Sequence, residues 1–271
     1  GAAEMRLHFS RKQLIIPYAL FMVLFVALPL LFIVFYAFTN RTTGAFSFDN
    51  FIRFFTSSTS MSNLLISIGI AALTTLFCLL LAYPIAFILA RSNMKKKHVL
   101  LMLFVLPMWI NFVLRINALR EFLGLTGMLG QANFFNTILG MVYDFFPFMV
   151  LPLYTTLIKM DKSLIEAATD LGAGPVTTFF KVTLPLSMPG IMSGVTMVFL
   201  PSMTNYVITD SLGLGQITII GKLIEECFGT RNDWNLGSAI SLVLLLIVFV
   251  TMLATGGFKE EENGSRGAGI W

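Results

Sequence analysis

Few side chains in this sequence could do chemistry, and most of those few stand in apolar surroundings. Arg115 and Asp144 are each embedded in a long hydrophobic run. Trp109 stands in "LPMWINFVLRINAL", just past the helix-breaking Pro107, and Tyr206 and Asp210 share "TNYVITD", beyond Pro201. An ionisable group at membrane depth is expensive and is therefore a pointer to function. Aromatic faces combined with a carboxylate suit an organic cation, through cation–π and ionic contacts. A plainer reading stands beside each. Arg115 and Asp144 can pair with each other structurally, and Trp109 and Tyr206 can pack or anchor at an interface. Asp210 can be an ordinary solvated loop acid.

Other chemistries find no residues to carry them. A phosphate-cradling loop needs G-x-x-x-x-G-K-[ST]. The nearest stretch, "GQITIIGKL" from Gly215, has an extra residue between its glycines and ends in Leu. His8 and His98 lie at loop margins, and Cys78 and Cys227 fit no metal-ligand spacing. An intramembrane protease would need paired aspartates, a Ser/His pair or HExxH. Asp144 has only Asp210 to pair with, and that residue falls at a different depth. No catalytic residue, metal site or bound cofactor is expected.

The elements that must position these residues are membrane helices. Of 271 residues, 56% are hydrophobic and 12% charged, with a mean hydropathy of +0.84, whereas soluble domains carry roughly a quarter charged residues. About 20 helical residues cross a bilayer core. Six stretches suffice, near 15–38, 64–90, 99–117, 132–158, 184–208 and 236–256. The first is too long for a signal-peptide core and reads as an uncleaved anchor. One membrane domain over 15–258 is expected, with a short segment 1–14 before it and a tail 259–271 after it. Lys and Arg mark the cytoplasmic side. With the N-terminus inside, twelve of the 18 fall on that side, Arg91, Lys95, Lys96 and Lys97 in one loop. Both termini are therefore expected in the cytoplasm. The net charge of +4 reads as a topology signal and not as a nucleic-acid-binding patch.

On continuous helices, at about 1.5 Å per residue, Arg115 and Asp144 would lie roughly 25 and 22 Å above the cytoplasmic side. Asp210 would lie roughly 39 Å along the fifth span, beyond the hydrocarbon.

The cytoplasmic stretch between the fourth and fifth spans, "SLIEAATDLGAGPVTTFFKVTLP", is unusually polar and punctuated. Ser163 and Glu166 have capping-box spacing. Leu164, Ile165, Ala168 and Leu171 form an apolar face, Gly172 suits a helix C-cap, and Pro175 suits the first turn of a second helix carrying Phe179 and Phe180. Such a helix–turn–helix can rest on lipid headgroups or dock a soluble partner.

The run Glu166-Ala167-Ala168, with Gly172, Val182 and Leu184-Pro185 at their spacing, resembles the EAA loop of ATP-binding-cassette (ABC) importer permeases, which usually carry Ile where Val182 stands. The resemblance implies an all-α, polytopic, type I ABC importer permease fold of six transmembrane helices. Glu166, Ala167, Ala168, Asp170 and Gly172 would then belong to a coupling helix seated on a separate ATPase. From about residue 14 to 255 the chain also resembles the spermidine/putrescine permeases. That likeness implies a polyamine pathway, with Trp109, Tyr206 and Asp210 as candidate lining residues; Asp144 joins them only as an intramembrane acid, since the family has no requirement for one there. It further implies a second permease subunit in a heterodimer, two cytoplasmic ATPase subunits that bind the ATP, and an extracytoplasmic binding protein. A same-fold permease for another amine, an amino acid or an anion, and a stand-alone channel or carrier, are the alternatives.

Overall fold

The computed structural model describes residues 11–92 and 97–254. Arg6, Lys95, Lys96, Lys259, Arg266 and the 259–271 tail lie outside the described residues. Those described are helical, apart from loops and one isolated bridge between Thr39 and Phe46. Four helices are long and apolar enough to cross a membrane, or six if each of two bent helix pairs counts as one span. The straight four are α1 (Ile16–Ala37), α3 (Ser58–Arg91), α6 (Asn133–Lys159) and the last, Trp234–Leu253. They match the expected spans closely, because long continuous hydrophobic runs leave little freedom in where a spanning helix can lie.

The chain divides into two compact units. One comprises the residues up to Ser57 together with Ile224–Leu245. Its polar contacts gather at the end of α1. The Asn50 amide, on α2 (Asp49–Thr56), donates to the Ala37 and Thr39 carbonyls. Asn235 donates to the carbonyls of Tyr36 and Thr39. Arg53 pairs with Asp233 at 2.9 Å. Carbonyls in and just past the last turn of α1 are thus satisfied by side-chain amides, as orphaned helix-end groups require.

The second unit comprises Ser58–Leu223 with residues from Leu246 onward, and it holds every candidate site residue. Its core is a mutual packing of α3, α6 and α9 (Met188–Thr204). Small residues on α3 (Cys78, Ala82, Ala86) face Met141, Met149 and Leu153 on α6 and Val198 on α9, all fully buried. Between membrane helices close approach of small side chains supplies much of the association energy.

The two remaining spans differ from expectation. The third is not a straight helix over 99–117. α4 (Lys97–Val105) tightens into a 3₁₀ turn over Leu106–Trp109, and α5 (Phe112–Leu125) then departs at 94°. Pro107 removes a backbone donor, Ile110 is extended, and the Asn111 side chain accepts the Val113 N–H to start the new helix. The fifth is not a straight helix over 184–208 either. A segment Pro175–Leu186, containing a π-helical turn over Phe179–Thr183, bends by 63° at Ser187 into α9. α9 stops at Thr204, Asn205 leaves the helical region, and α10 (Tyr206–Leu212) follows. The depths of roughly 25 Å for Arg115 and 39 Å for Asp210, which assume continuous helices, therefore do not apply.

Candidate functional site

The candidate residues separate into three places. The first is the loop between the fourth and fifth expected spans. α7 (Ser163–Asp170) is one helix of the expected pair, and Pro175 occupies the first turn of the next, α8 (Pro175–Leu186). The Ser163–Glu166 capping box does not form. Lys162 is the N-cap, and the Glu166 N–H donates to the Lys162 carbonyl. Asp161 does the capping, accepting the Ser163 N–H at 2.9 Å. That backbone bond, with help from the Ser163 hydroxyl, holds the Asp161 carboxyl below the usual carboxylate range. A carboxylate at this end also suits the helix dipole, which a hydroxyl cannot match.

The far end of α7 follows expectation. Gly172 has φ +81°, the Ala173 N–H donates to the Ala168 carbonyl, and the Gly172 N–H donates to Thr169. This is a Schellman turn, in which glycine escapes the Cβ penalty of a left-handed residue. No atom lies within 4 Å of where a Gly172 Cβ would stand, so backbone strain alone opposes substitution there. Glu166, Ala167, Asp170 and Gly172 are exposed and Ala168 half-buried, so the loop presents its surface outward. Leu171 is 89% exposed and Val176 70%, apolar side chains with nothing from this chain covering them. Behind them the loop is braced. Phe179 meets Tyr83 and Phe87 of α3 edge to face, and the Tyr83 and Ser187 hydroxyls hydrogen-bond at 2.9 Å, at the 63° bend. That brace was not expected, since nothing local in sequence links residues 83 and 187.

The second place is a cavity of about 380 Å³ at the 94° bend. Arg115 from α5 and Asp144 from α6 pair across it at 2.5 Å, both side chains 7% exposed. The expected ion pair is present. Arg115 also lies 5.8 Å from the Tyr143 ring centroid. Its Nε and Nη1 are buried without a hydrogen-bond partner among the described residues. Trp109, Asn111 and Asn205 line the same cavity. Trp109 is 84% exposed, so core packing does not explain it. The structure thus brings Trp109 and Asp144 together, and adds Arg115 and Asn205, but leaves Tyr206 and Asp210 out.

Those two form the third place. Asp210 pairs with Lys222 at 3.0 Å, and the Lys222 ammonium lies 5.2 Å from the Tyr206 ring centroid. The solvated-loop reading of Asp210 therefore does not hold in this conformation. Lys222 was missed because it belongs to α11 (Ile220–Phe228), a helix too short and polar to register as a span.

Comparison with known proteins adds the lineage. Residues 82–258 match the family described as "Binding-protein-dependent transport system inner membrane component". The chain is 36% identical over 252 residues to the spermidine/putrescine transport system permease protein PotB of Escherichia coli (strain K12), covering 86% of this chain and 91% of that one. The Haemophilus influenzae protein of the same name is 38% identical over 203 residues, 68% of this chain and 71% of its own. A solved bacterial ABC transporter involved in the import of the acidic polysaccharide alginate superposes with a TM-score of 0.71. The match covers 92% of this chain and 94% of that one, at 14% identity, which shows a shared fold. The all-α ABC importer permease fold is therefore established, and the chain, a transport subunit rather than an enzyme, belongs to the family of inner-membrane components of binding-protein-dependent transport systems.

Proposed function

We propose that this chain is one half of the translocation pathway of an ATP-driven polyamine importer. The observation that carries this reading is the similarity to the spermidine/putrescine permeases, which extends over 86% of the chain and includes all three candidate places. The domain spans 15–258, and both termini face the cytoplasm. A second, non-identical permease completes the pathway across the lipid bilayer. Two cytoplasmic ATPase subunits bind the ATP, and an extracytoplasmic binding protein delivers the solute. Nucleic acid has no part in it.

In this reading Glu166, Ala167, Ala168, Asp170 and Gly172 form the face that the motor grips. The exposed Leu171 and Val176 support this, since apolar side chains projecting from a loop gain by burial against a partner. ATP-driven closure of the motor pushes α7, and the contacts of Phe179 and Ser187 with Tyr83 carry the push into α3. The two permeases then rock between inward- and outward-facing states. Trp109 and Asp144 line the route at the bend, and Tyr206 and Asp210 line it at α10.

A second reading has one specific observation in its favour. Arg115 lines the cavity, and its buried Nε and Nη1 have no hydrogen-bond partner among the described residues, so this donor-rich side chain would suit an anionic or hydroxylated solute. Uptake of radiolabelled spermidine by proteoliposomes holding the whole complex decides between the two. ATP-dependent accumulation, undiminished by excess carboxylate or sugar-acid competitors, is expected. No accumulation of spermidine or putrescine, with accumulation of an anion, would replace the polyamine reading with the second.

A further inference from the structure

Lys222 ends in a primary alkylammonium, the same group that terminates a linear polyamine. In this conformation its nitrogen sits 3.0 Å from an Asp210 carboxylate oxygen and 5.2 Å from the centroid of the Tyr206 ring. Carboxylate on one side and aromatic face on the other is what a protein uses to hold an ammonium ion. Two features deliver the lysine there. The Ile220 N–H donates to the buried Ser67 hydroxyl of α3 at 2.7 Å, which pins the first turn of α11. The next residue is Gly221, and a Cβ there would collide with the Thr204 carbonyl at the end of α9. Only glycine lets the backbone approach so closely. That approach brings Lys222 against α10, which carries both Tyr206 and Asp210. The lysine and aspartate side chains remain 27% and 38% exposed, so an incoming cation can reach the pair.

We propose that Asp210 and Tyr206 form a primary-ammonium site which Lys222 fills as a tethered stand-in, and that an arriving ammonium group takes the site by displacing Lys222. This deepens the polyamine reading and rests on it for the identity of the solute. Displacement suits a transport site. A carboxylate that kept no counter-ion between deliveries would bind the passing solute tightly and release it slowly. A lysine returning to the carboxylate assists release and keeps the site neutral meanwhile. An internal occupant scales the apparent affinity down to the fraction of time it leaves the site free. The pair is partly exposed, which limits its strength, and the aromatic face adds to it, so removing the occupant should tighten ammonium binding about tenfold.

Equilibrium binding of radiolabelled spermidine to the assembled complex in nanodiscs, without nucleotide or binding protein, tests this. Lys222→Met should tighten binding about tenfold and Lys222→Gln by a similar factor. Lys222→Arg, which keeps a tethered cation, should resemble the parent. Asp210→Asn should weaken binding strongly, and so should the Asp210→Asn, Lys222→Met double variant. If Lys222→Met and Lys222→Gln assemble and bind no tighter than the parent, the lysine is a structural partner and the displacement model falls. Radiolabelled butylammonium, with a single ammonium, separates this result from failure of the polyamine reading. Tighter butylammonium binding in Lys222→Met with no spermidine binding by any variant leaves the ammonium site standing and removes the polyamine. No tightening of either probe overturns displacement, and undiminished binding of both probes in Asp210→Asn overturns the site itself.

Discussion

Two ion pairs join neighbouring helices in the second unit, and they differ in nearly every respect except charge. Arg115 and Asp144 are 7% exposed on both sides, whereas Lys222 and Asp210 keep 27% and 38% of their side-chain surface. A buried charge has no water to fall back on, so each partner of the first pair is indispensable to the other. The second pair sits where solvent screens it and where either member can be exchanged for another ion. Arginine further separates them. Its guanidinium is always charged and only one of its nitrogens is bound by Asp144, while lysine is a single ammonium that a solute can imitate. Burial therefore decides which pair holds the fold at the edge of the route and which can exchange its partner.

The largest effect should come from breaking the buried pair on one side. Asp144→Asn and Arg115→Gln should each cost about 3–5 kcal/mol, through the uncompensated charge that remains. The double variant should recover part of the loss, read as folded yield and melting temperature in detergent. Simple addition of the two losses would mean that the residues act independently, and Asp144 would then be a contact for solute.

A buried but neutral link should cost less. Tyr83→Phe removes the hydrogen bond to Ser187, worth about 1 kcal/mol net. The Ser187 hydroxyl keeps its bond to the Leu184 carbonyl, so no orphaned group results. The variant should insert normally and lower the uptake obtained per ATP hydrolysed. An unchanged ratio would free Tyr83 of any role in transmission.

For the exposed pair, Asp210→Asn should change stability by less than about 1 kcal/mol, yet reduce spermidine uptake, with Asp210→Glu retaining part of it. A stability loss as large as that of Asp144→Asn would erase the contrast between the pairs.

The smallest effect concerns Asp161, whose carboxyl is held below its ordinary value near 3.8. A lowered folded-state pKa contributes stability that is complete above the unfolded value and is lost as pH falls through the folded one. The first turn of α7 should therefore keep its protection from neutral pH down to about pH 4 and fray only below that. Hydrogen exchange at Ser163, corrected for the intrinsic rate, would follow it. In Asp161→Asn the acid-induced change should vanish.

Legibility in the sequence tracked how local the deciding physics was. The four straight spans could be read because hydrophobic length alone specifies them. The turn at Gly172 could be read because one residue's backbone freedom settles it, and the Arg115–Asp144 pair because few other charges share their surroundings. The bends could not. Pro84, Pro147, Pro152 and Pro201 lie inside helices, while Pro107 accompanies a 94° break, so proline alone does not announce one. The 63° bend falls at Ser187 and is held by Tyr83, a partner 104 positions away. Ser163 and Glu166 had the spacing of a capping box, but an acid two residues earlier satisfied the same donor better. Lys222 escaped because only the fold brings α11 against α10.

The central claim is that the loop turned by Gly172 couples this permease to an ATP-driven motor. Gly172→Val, placed in the full complex in proteoliposomes, tests it most directly by spermidine uptake and transport-linked ATP hydrolysis measured together. A β-branched residue at φ +81° must unwind the Schellman turn. The account predicts normal membrane insertion with both activities sharply reduced. Uptake and hydrolysis at parental rates would contradict it.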